Sequence, residues 1–138
     1  MNTWVVILAA GLGTRMRSRK AKVLHRAGGL SLVEQVVRAA TAVTDTSRIV
    51  VVTGHQADSV EAVLRPYGVG FARQTEQKGT GHALACCRDA VKEKSGRLIV
   101  LYGDTPLLSA TTLRTLLESH TAHGQAATLM TTINAFCR

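Results

Sequence analysis

WVVILAAGLGTRMRSRKAKVLH, residues 4 to 25, opens with an unbroken apolar run and then changes abruptly to glycines and cations. Residues 4 to 9 are predicted to form a buried parallel strand, because β-branched and aliphatic residues follow one another without a polar break. Gly11 and Gly13 end that strand, and a polar, basic loop continues through Gly29. In doubly wound sheets, ligands bind beyond the carboxyl ends of strands, so this loop is a candidate binding loop.

Helical and strand-like patterns alternate after this loop. Ser31 is a predicted N-cap, and Glu34 three residues later completes a capping box for the first helix. Further helices are predicted at residues 56–67 and 82–92 and after Ser109, and further strands at 48–53, 69–73, 97–102 and 127–133. Right-handed crossovers would wind them into a Rossmann-like α/β three-layer sandwich with a mainly parallel sheet. The last strand has no closing helix after it, so the domain is expected to be incomplete at its C-terminus.

Composition restricts the class of protein. The chain has 138 residues, of which 46% are hydrophobic and 4% aromatic, enough to bury a core of small aliphatic side chains. Its net charge of +8 favours an anionic partner. The low aromatic content and the lack of a helix-turn-helix or zinc pattern argue against a nucleic-acid-binding protein. The apolar start is too short for a membrane span and follows no basic segment, so neither a membrane helix nor a signal peptide is expected. The odd set of Cys86, Cys87 and Cys137 indicates reduced thiols, so a cytoplasmic protein is expected.

Three polar loops, at residues 10–29, 74–81 and 103–108, leave the predicted strands at their carboxyl ends and are expected to converge. In the first loop, Gly11 and Gly13 would let backbone N–H groups approach phosphate, and several cations would neutralise a triphosphate. Those cations are Arg15, Arg17, Arg19, Lys20 and Lys22. The dinucleotide fingerprint fails because Met16 occupies its third glycine position, and no Gly-Lys-Ser/Thr supplies a P-loop.

Four segments together resemble a known family: LAAGLGTRM at 8–16, AKVLH at 21–25, QTEQKGTGHA at 74–83 and LYGDTPLL at 101–108. The first two resemble the signature of sugar-1-phosphate nucleotidyltransferases. With the others, nearly the whole chain resembles the N-terminal uridyltransferase domain of the bacterial bifunctional N-acetylglucosamine-1-phosphate uridyltransferases (glucosamine-1-phosphate acetyltransferases). Ordered motifs at suitable spacing are more specific than any one of them.

The resemblance implies a set of site residues. Arg15 and Lys22 would be catalytic and would hold the triphosphate, and Tyr102 and Gly103 would lie near the substrate. The nucleotide would be bound by Leu8, Ala9, Ala10, Gly11, Gly13, Thr14, Lys22, Gln74, Gln77, Gly79 and Thr80. Asp104 would bind Mg²⁺. The residues alone also favour this last role, because a carboxylate that closes the apolar run LIVLYGD suits a hard cation, although a turn residue before Pro106 is the alternative.

The implied reaction is uridylyl transfer from UTP to N-acetylglucosamine 1-phosphate, which would supply a precursor of peptidoglycan and lipopolysaccharide. Leu12 departs from the family, which usually has a cation near that position. The family's domain also continues past residue 138, and the sugar-binding half, the acetyltransferase β-helix and the oligomer built on it lie outside this chain. Little activity is therefore expected from the chain alone. A nucleotidyltransferase for another nucleotide and sugar phosphate, or a non-catalytic nucleotide-binding module, remains an alternative.

Overall fold

The computed structural model describes residues 2–13, 18–92 and 95–131. The strands are β1 (Thr3–Leu8), β2 (Arg26–Ala27), β3 (Leu30–Ser31), β4 (Ile49–Thr53), β5 (Gly70–Arg73) and β6 (Arg97–Tyr102). The α-helices are α1 (Leu32–Ala40), α2 (Ala57–Leu64), α3 (Thr80–Cys86) and α4 (Ala110–His123). Short 3₁₀ turns lie at Lys22–Leu24, Thr46–Arg48 and Arg65–Tyr67.

Four parallel strands form the main sheet in the order β5-β4-β1-β6. β1 lies inside the sheet, with Val6 paired to Val50 on one side and to Val100 on the other. The chain moves outward from β1 through β4 to β5 and then returns to the opposite side of β1 for β6. The strand order therefore reverses between β1 and β6, and such a switch point is where doubly wound folds bind their ligands.

Both faces of the central strands β1 and β4 are covered, whereas Leu98 and Val100 of the edge strand β6 are exposed. On one face, Val5 and Ile7 of β1 belong to a core formed with α1, α2 and α4. On the other face, Trp4 and Val6 pack with Ala83 of α3. Because both faces are covered, β1 is a continuous apolar run, and the predicted three-layer α/β sandwich is confirmed.

The first helix begins as the sequence predicts. The Ser31 hydroxyl accepts from the Glu34 backbone N–H, and the Glu34 carboxylate accepts from the Ser31 N–H at 2.8 Å. Tyr67 also donates its hydroxyl to this carboxylate, which ties α1 to the turn after α2. Burial acts to raise the pKa of Glu34, but the hydrogen bonds from Ser31 and Tyr67 outweigh it and the pKa is lowered.

Three local predictions need correction. The helix predicted at 82–92 begins two residues earlier and ends at Cys86, where Cys87 turns its N–H and thiol back to the Leu84 carbonyl. The basic loop that was predicted to run through Gly29 contains a small hairpin, β2-β3, whose Gly28-Gly29 turn has positive φ at both residues. The strand predicted at 127–133 is wrong over its described part, because residues 127–131 are exposed and pair with no strand.

Among the described residues, no helix combines the length and the apolar character needed to cross a bilayer.

Candidate functional site

The three polar loops meet at the carboxyl edge of the sheet. The Gly103 N–H donates to the Leu8 carbonyl at 2.9 Å, which joins the exits of β6 and β1. The Gln77 amide donates to the Ala10 carbonyl at 2.8 Å, which brings the loop after β5 to the same place. The predicted convergence of the loops is therefore confirmed, and the candidate site lies at the switch point.

One ion pair spans this switch point. Lys22 Nζ lies 2.6 Å from Asp104 Oδ2, although the two residues are far apart in sequence. The Lys22 side chain is 42% exposed and that of Asp104 31%, so a ligand can reach both. A cation beside a carboxylate at this edge offers one group for phosphate and one for a metal ion.

Lys22 is held in place by its neighbours. It lies in the 3₁₀ turn Lys22–Leu24, and Ala21, Val23 and Leu24 around it are all less than 10% exposed. These three belong to the core beneath α1. The middle of the basic loop is thus fixed by burial of its apolar residues, and Lys22 is presented from a rigid base.

Gly13 lies against Lys22 and needs to be glycine. Its φ is +60°, and a Cβ built on it would lie 2.9 Å from the Lys22 Cβ. Both the backbone conformation and the close approach disfavour any side chain there. Gly11 is exposed and a Cβ there would meet nothing, so its backbone is open to a ligand. Thr14 and Arg15 lie outside the described residues.

Small residues shape the floor of the site. Ala9, Ala10 and Gly103 are buried, and a Cβ on Gly103 would lie 3.2 Å from the Ala9 Cβ. A Cβ on Gly54, just after β4, would come within 2.9 Å of both Ala10 and the Gln77 amide. Leu8 is half-buried, whereas Tyr102 is 51% exposed beside Asp104. The strand exits are therefore packed tightly enough to hold the loop backbones in fixed positions.

Gln74 and Gln77, which are predicted to bind the nucleotide, hold the loop after β5 in place. Gln74 is only 4% exposed, and its amide nitrogen lies 3.1 Å from the Gly79 carbonyl and 3.0 Å from His82 Nδ1. Gln77 is exposed apart from its bond to Ala10. Gly79, with φ +90°, and Thr80 are exposed where this loop enters α3. The site therefore has an open rim formed by residues 77–80.

Sequence reasoning missed Gln56, which follows β4. Its side chain accepts from the Ala21 N–H at 2.7 Å and donates to the Arg19 carbonyl. Nothing in the residue pattern around position 56 indicates this contact, since it depends on a backbone conformation that glutamine rarely adopts. The partnership of Gln74 with His82 was missed as well, although their spacing across a short loop is a weak signal.

The carboxylate of Asp104 is a type of ligand that suits Mg²⁺. Mg²⁺ is commonly bound by one or two carboxylates together with substrate phosphates and water, and Asp104 is a part-exposed carboxylate beside the basic loop. In the described ranges, no three His, Cys, Asp or Glu side chains gather into a metal-binding group. His82 and Cys86 lie 3.9 Å apart, and the described part of the chain adds no third ligand for zinc.

An open cavity of about 370 Å³ lies at the opposite, amino edge of the sheet. It is lined in part by Thr41, Asp45 and Arg48, and the Arg48 guanidinium is 3.7 Å from the Asp45 carboxylate. The described residues that line this cavity include no glycine whose backbone could approach phosphate, whereas Gly11 and Gly13 lie beside Lys22 at the carboxyl edge. The chemistry therefore favours the carboxyl edge over this cavity.

Comparisons with known proteins give matches over nearly the whole chain. A family model described as the MobA-like NTP transferase domain matches residues 5–136. The bifunctional protein GlmU of Solibacter usitatus is 54% identical over 123 residues, 89% of this chain and 26% of that protein. GlmU of Streptococcus sanguinis is 43% identical over 131 residues, 95% of this chain and 28% of that protein. The chain thus spans about a quarter of the length of these curated relatives.

Among solved structures, a nucleotidyl transferase from Methanothermobacter thermautotroptrophicus superposes with a TM-score of 0.69 at 29% identity. The match covers 84% of this chain and 56% of that one. The shared architecture is the Rossmann-like α/β fold, a class in which ligands commonly bind at the carboxyl edge of the sheet.

Proposed function

The chain belongs to the MobA-like NTP transferase domain family, and from that membership we propose that it carries the nucleotide-binding part of a uridyltransferase acting on N-acetylglucosamine 1-phosphate. The single observation that carries the proposal is the Lys22–Asp104 pair, which joins the basic loop to the end of β6 at the switch point. Similarity to bifunctional GlmU proteins supports the choice of uridine nucleotide and sugar phosphate.

In the proposed reaction, a phosphate oxygen of the sugar 1-phosphate attacks the α-phosphorus of UTP in line. A new P–O bond forms as the bond to the β-phosphate oxygen breaks, and pyrophosphate leaves with the electron pair. The protein contributes position and charge, which is the usual division of work in phosphoryl transfer. The products are UDP-N-acetylglucosamine and pyrophosphate.

The basic loop binds the triphosphate. The backbone at Gly11 and Gly13 approaches the phosphate oxygens, since neither residue has a side chain in the way. Lys22 neutralises charge on the phosphates and on the transition state, and Arg15 has the same role. Lys22 starts from its pair with Asp104, so its ammonium group is already at the edge where the phosphates bind.

Asp104 would hold Mg²⁺, which would supply positive charge to offset that of the phosphates. The carboxylate is suited to this because its Lys22 partner can turn to a phosphate while the carboxylate remains at the strand end. Gly103 is buried and bonded to the Leu8 carbonyl, which keeps Asp104 from moving away from β1. Tyr102 is half exposed beside it, near the proposed acceptor.

The uracil would lie against the rim formed by residues 77–80. A uracil edge presents one donor between two acceptors, which an amide side chain and loop backbone groups can match. Gln77 and the backbone at Gly79 are exposed and can bind the uracil edge, while the buried Gln74 holds the loop by donating to the Gly79 carbonyl. Leu8, Ala9 and Ala10 close the floor, and Thr14 and Thr80 add hydroxyl groups.

Thermal denaturation with ligands tests the proposal. UTP with Mg²⁺ should raise the melting temperature of this chain more than ATP or GTP with Mg²⁺, because the rim is matched to uracil. Asp104→Asn should lose the Mg²⁺-dependent part of the increase and keep the parent's melting temperature without ligand. Equal stabilisation by all three nucleotides would contradict the preference for UTP, and greater stabilisation by ATP or GTP would favour a nucleotidyltransferase for that nucleotide.

Turnover separates an enzyme from a binding module. In a protein extended from this chain to the length of its GlmU relatives, pyrophosphate release should be fastest with UTP and N-acetylglucosamine 1-phosphate among the nucleotide and sugar-phosphate pairs tried. Faster release with another pair would move the assignment to that pair. Binding of UTP without pyrophosphate release from any pair would indicate a non-catalytic nucleotide-binding module.

A further inference from the structure

Gln56 has an unusual backbone. Its φ and ψ are 54° and 39°, in the left-handed region, and it is the one non-glycine residue with positive φ within residues 2–13, 18–92 and 95–131. This region is unfavourable for residues that carry a Cβ, and strained residues of this kind cluster at functional sites. A side chain at this position therefore needs contacts that compensate.

The Gln56 side chain makes such contacts with the basic loop, 35 residues earlier in the sequence. Its Oε1 accepts from the Ala21 N–H at 2.7 Å, and its Nε2 donates to the Arg19 carbonyl. The two ends of one amide thus hold the two peptide groups that flank Lys20. The side chain does not cap α2, although Gln56 is the residue before that helix.

Gln56 connects two parts of the candidate site. β4, next to β1 in the sheet, carries Gln56 at its exit, and the loop segment that Gln56 holds leads directly into Lys22. Buried side chains fix the loop after Ala21, but Arg19 and Lys20 are exposed and have no such anchor. Gln56 supplies that anchor on the amino side of Lys22.

We propose that Gln56 is a positioning residue: its side-chain amide clamps the basic loop at Arg19 and Ala21 and thereby sets the loop for triphosphate binding. The role rests on the proposed function, because it concerns the same nucleotide site. Gln56 acts through the loop backbone and touches no substrate atom.

Trypsin provides a direct test of the clamp. Trypsin cleaves after Arg19 and Lys20, and Gln56 binds the carbonyl of the first scissile bond and the N–H of the second. Gln56→Met keeps the side-chain length but removes both hydrogen bonds, and Gln56→Gly also relieves the left-handed backbone. Cleavage at these bonds, identified by mass spectrometry, should be about tenfold faster in both variants, as expected for the loss of two backbone contacts.

Gln35→Met is the matched control, since Gln35 also donates to backbone carbonyls, those of Ala27 and Leu30, but lies on α1 and binds the hairpin instead. It should leave cleavage after Arg19 and Lys20 at the parent rate. The melting temperature of Gln56→Gly should stay close to that of the parent, because relief of the left-handed backbone offsets the two lost hydrogen bonds. Faster cleavage would then reflect loop placement and not general unfolding.

Nucleotide affinity decides whether the clamp serves the site. The dissociation constant for UTP with Mg²⁺, measured by calorimetry, should rise about tenfold in Gln56→Met and Gln56→Gly and stay unchanged in Gln35→Met. Unchanged cleavage, or faster cleavage with unchanged UTP affinity, would overturn the positioning role. If the parent chain bound no UTP, the proposed function would fail, and the cleavage comparison would still decide whether the clamp exists.

Discussion

At the scale of single residues, the sequence indicated which chemical groups the candidate site offers. It did not indicate which side-chain contacts hold those groups in place. Asp104 stood out because it closes an apolar strand, and Gly13 because it follows one. The contacts of Gln56 were not predictable, since they depend on a left-handed backbone and join residues 35 positions apart. The contact of Gln74 with His82 spans a short loop and gave only a weak signal. Local patterns report which atoms a site offers, whereas tertiary structure determines which side chains support them.

Lys22 is predicted to act on the reaction and not on stability. Lys22→Met removes the ammonium group but keeps a long side chain. In a protein extended to the length of the GlmU relatives, it should lower kcat/KM about 100-fold, as expected when a charge that stabilises the transition state is lost. The free energy of unfolding should change by less than about 1 kcal/mol, because the pair with Asp104 is part-exposed.

Steady-state pyrophosphate release and urea unfolding of the same two proteins check this prediction. Arg48→Met is a suitable control, because Arg48 also faces a carboxylate, that of Asp45 at 3.7 Å, but lies at the opposite, amino edge of the sheet. A parent-like kcat/KM in Lys22→Met would remove Lys22 from the mechanism.

At the scale of secondary-structure elements, the first residues of α1 and α3 were predicted more closely than the last residue of α3. The capping box at Ser31 was found because both halves of it are local. α3 ends six residues before its predicted end because the Cys87 N–H and thiol turn back to a carbonyl, which no periodicity reveals. The strand predicted at 127–133 has β-prone residues, but the described part finds no partner strand, and β-propensity without a ladder does not make a strand.

The capping box should contribute measurably to α1. Ser31→Ala removes the hydroxyl that accepts from the Glu34 N–H and should lower the free energy of unfolding by about 1 kcal/mol. Ser109→Ala is the matched control: Ser109 caps α4 through the Thr112 N–H but is exposed and lacks the reciprocal carboxylate, so a smaller loss is expected. Urea unfolding of both variants measures the difference, and an equal loss would contradict the account of α1.

A second element-scale prediction concerns acid stability. The Arg73 guanidinium on β5, helped by the Thr53 hydroxyl, holds the pKa of Glu61 on α2 below its usual range despite burial. The folded chain thus binds this proton less readily than the unfolded chain. The stabilisation is complete above the unfolded value of about 4.3 and is lost as pH falls through the lower folded value.

Glu61→Gln should therefore be less stable than the parent at pH 7 by about 1 to 2 kcal/mol, since hydrogen bonds to a charged group are lost. The difference should shrink as the pH falls through the folded pKa, because the parent loses its own carboxylate there. Urea unfolding at a series of pH values tests this, and a difference that stays constant down to the most acidic point would show that Glu61 does not act through its charge.

At the scale of the whole molecule, alternation of strands and helices was enough to predict the layers, because both faces of a parallel sheet must be covered. The strand order β5-β4-β1-β6 was not predicted and could not be, since it depends on which side of β1 the chain returns to. That return places Lys22 and Asp104 across one switch point. The net charge of +8 fits an anionic ligand but does not say which edge binds it.

Binding of UTP with Mg²⁺ at the carboxyl edge of the sheet can be located by an NMR titration of the ¹⁵N-labelled chain. The backbone amide signals of Gly13, Gly79 and Gly103 are expected to shift with UTP and Mg²⁺, and the shifts should weaken in Asp104→Asn. Shifts confined to Thr41 and Arg48, beside the cavity at the amino edge, would contradict it.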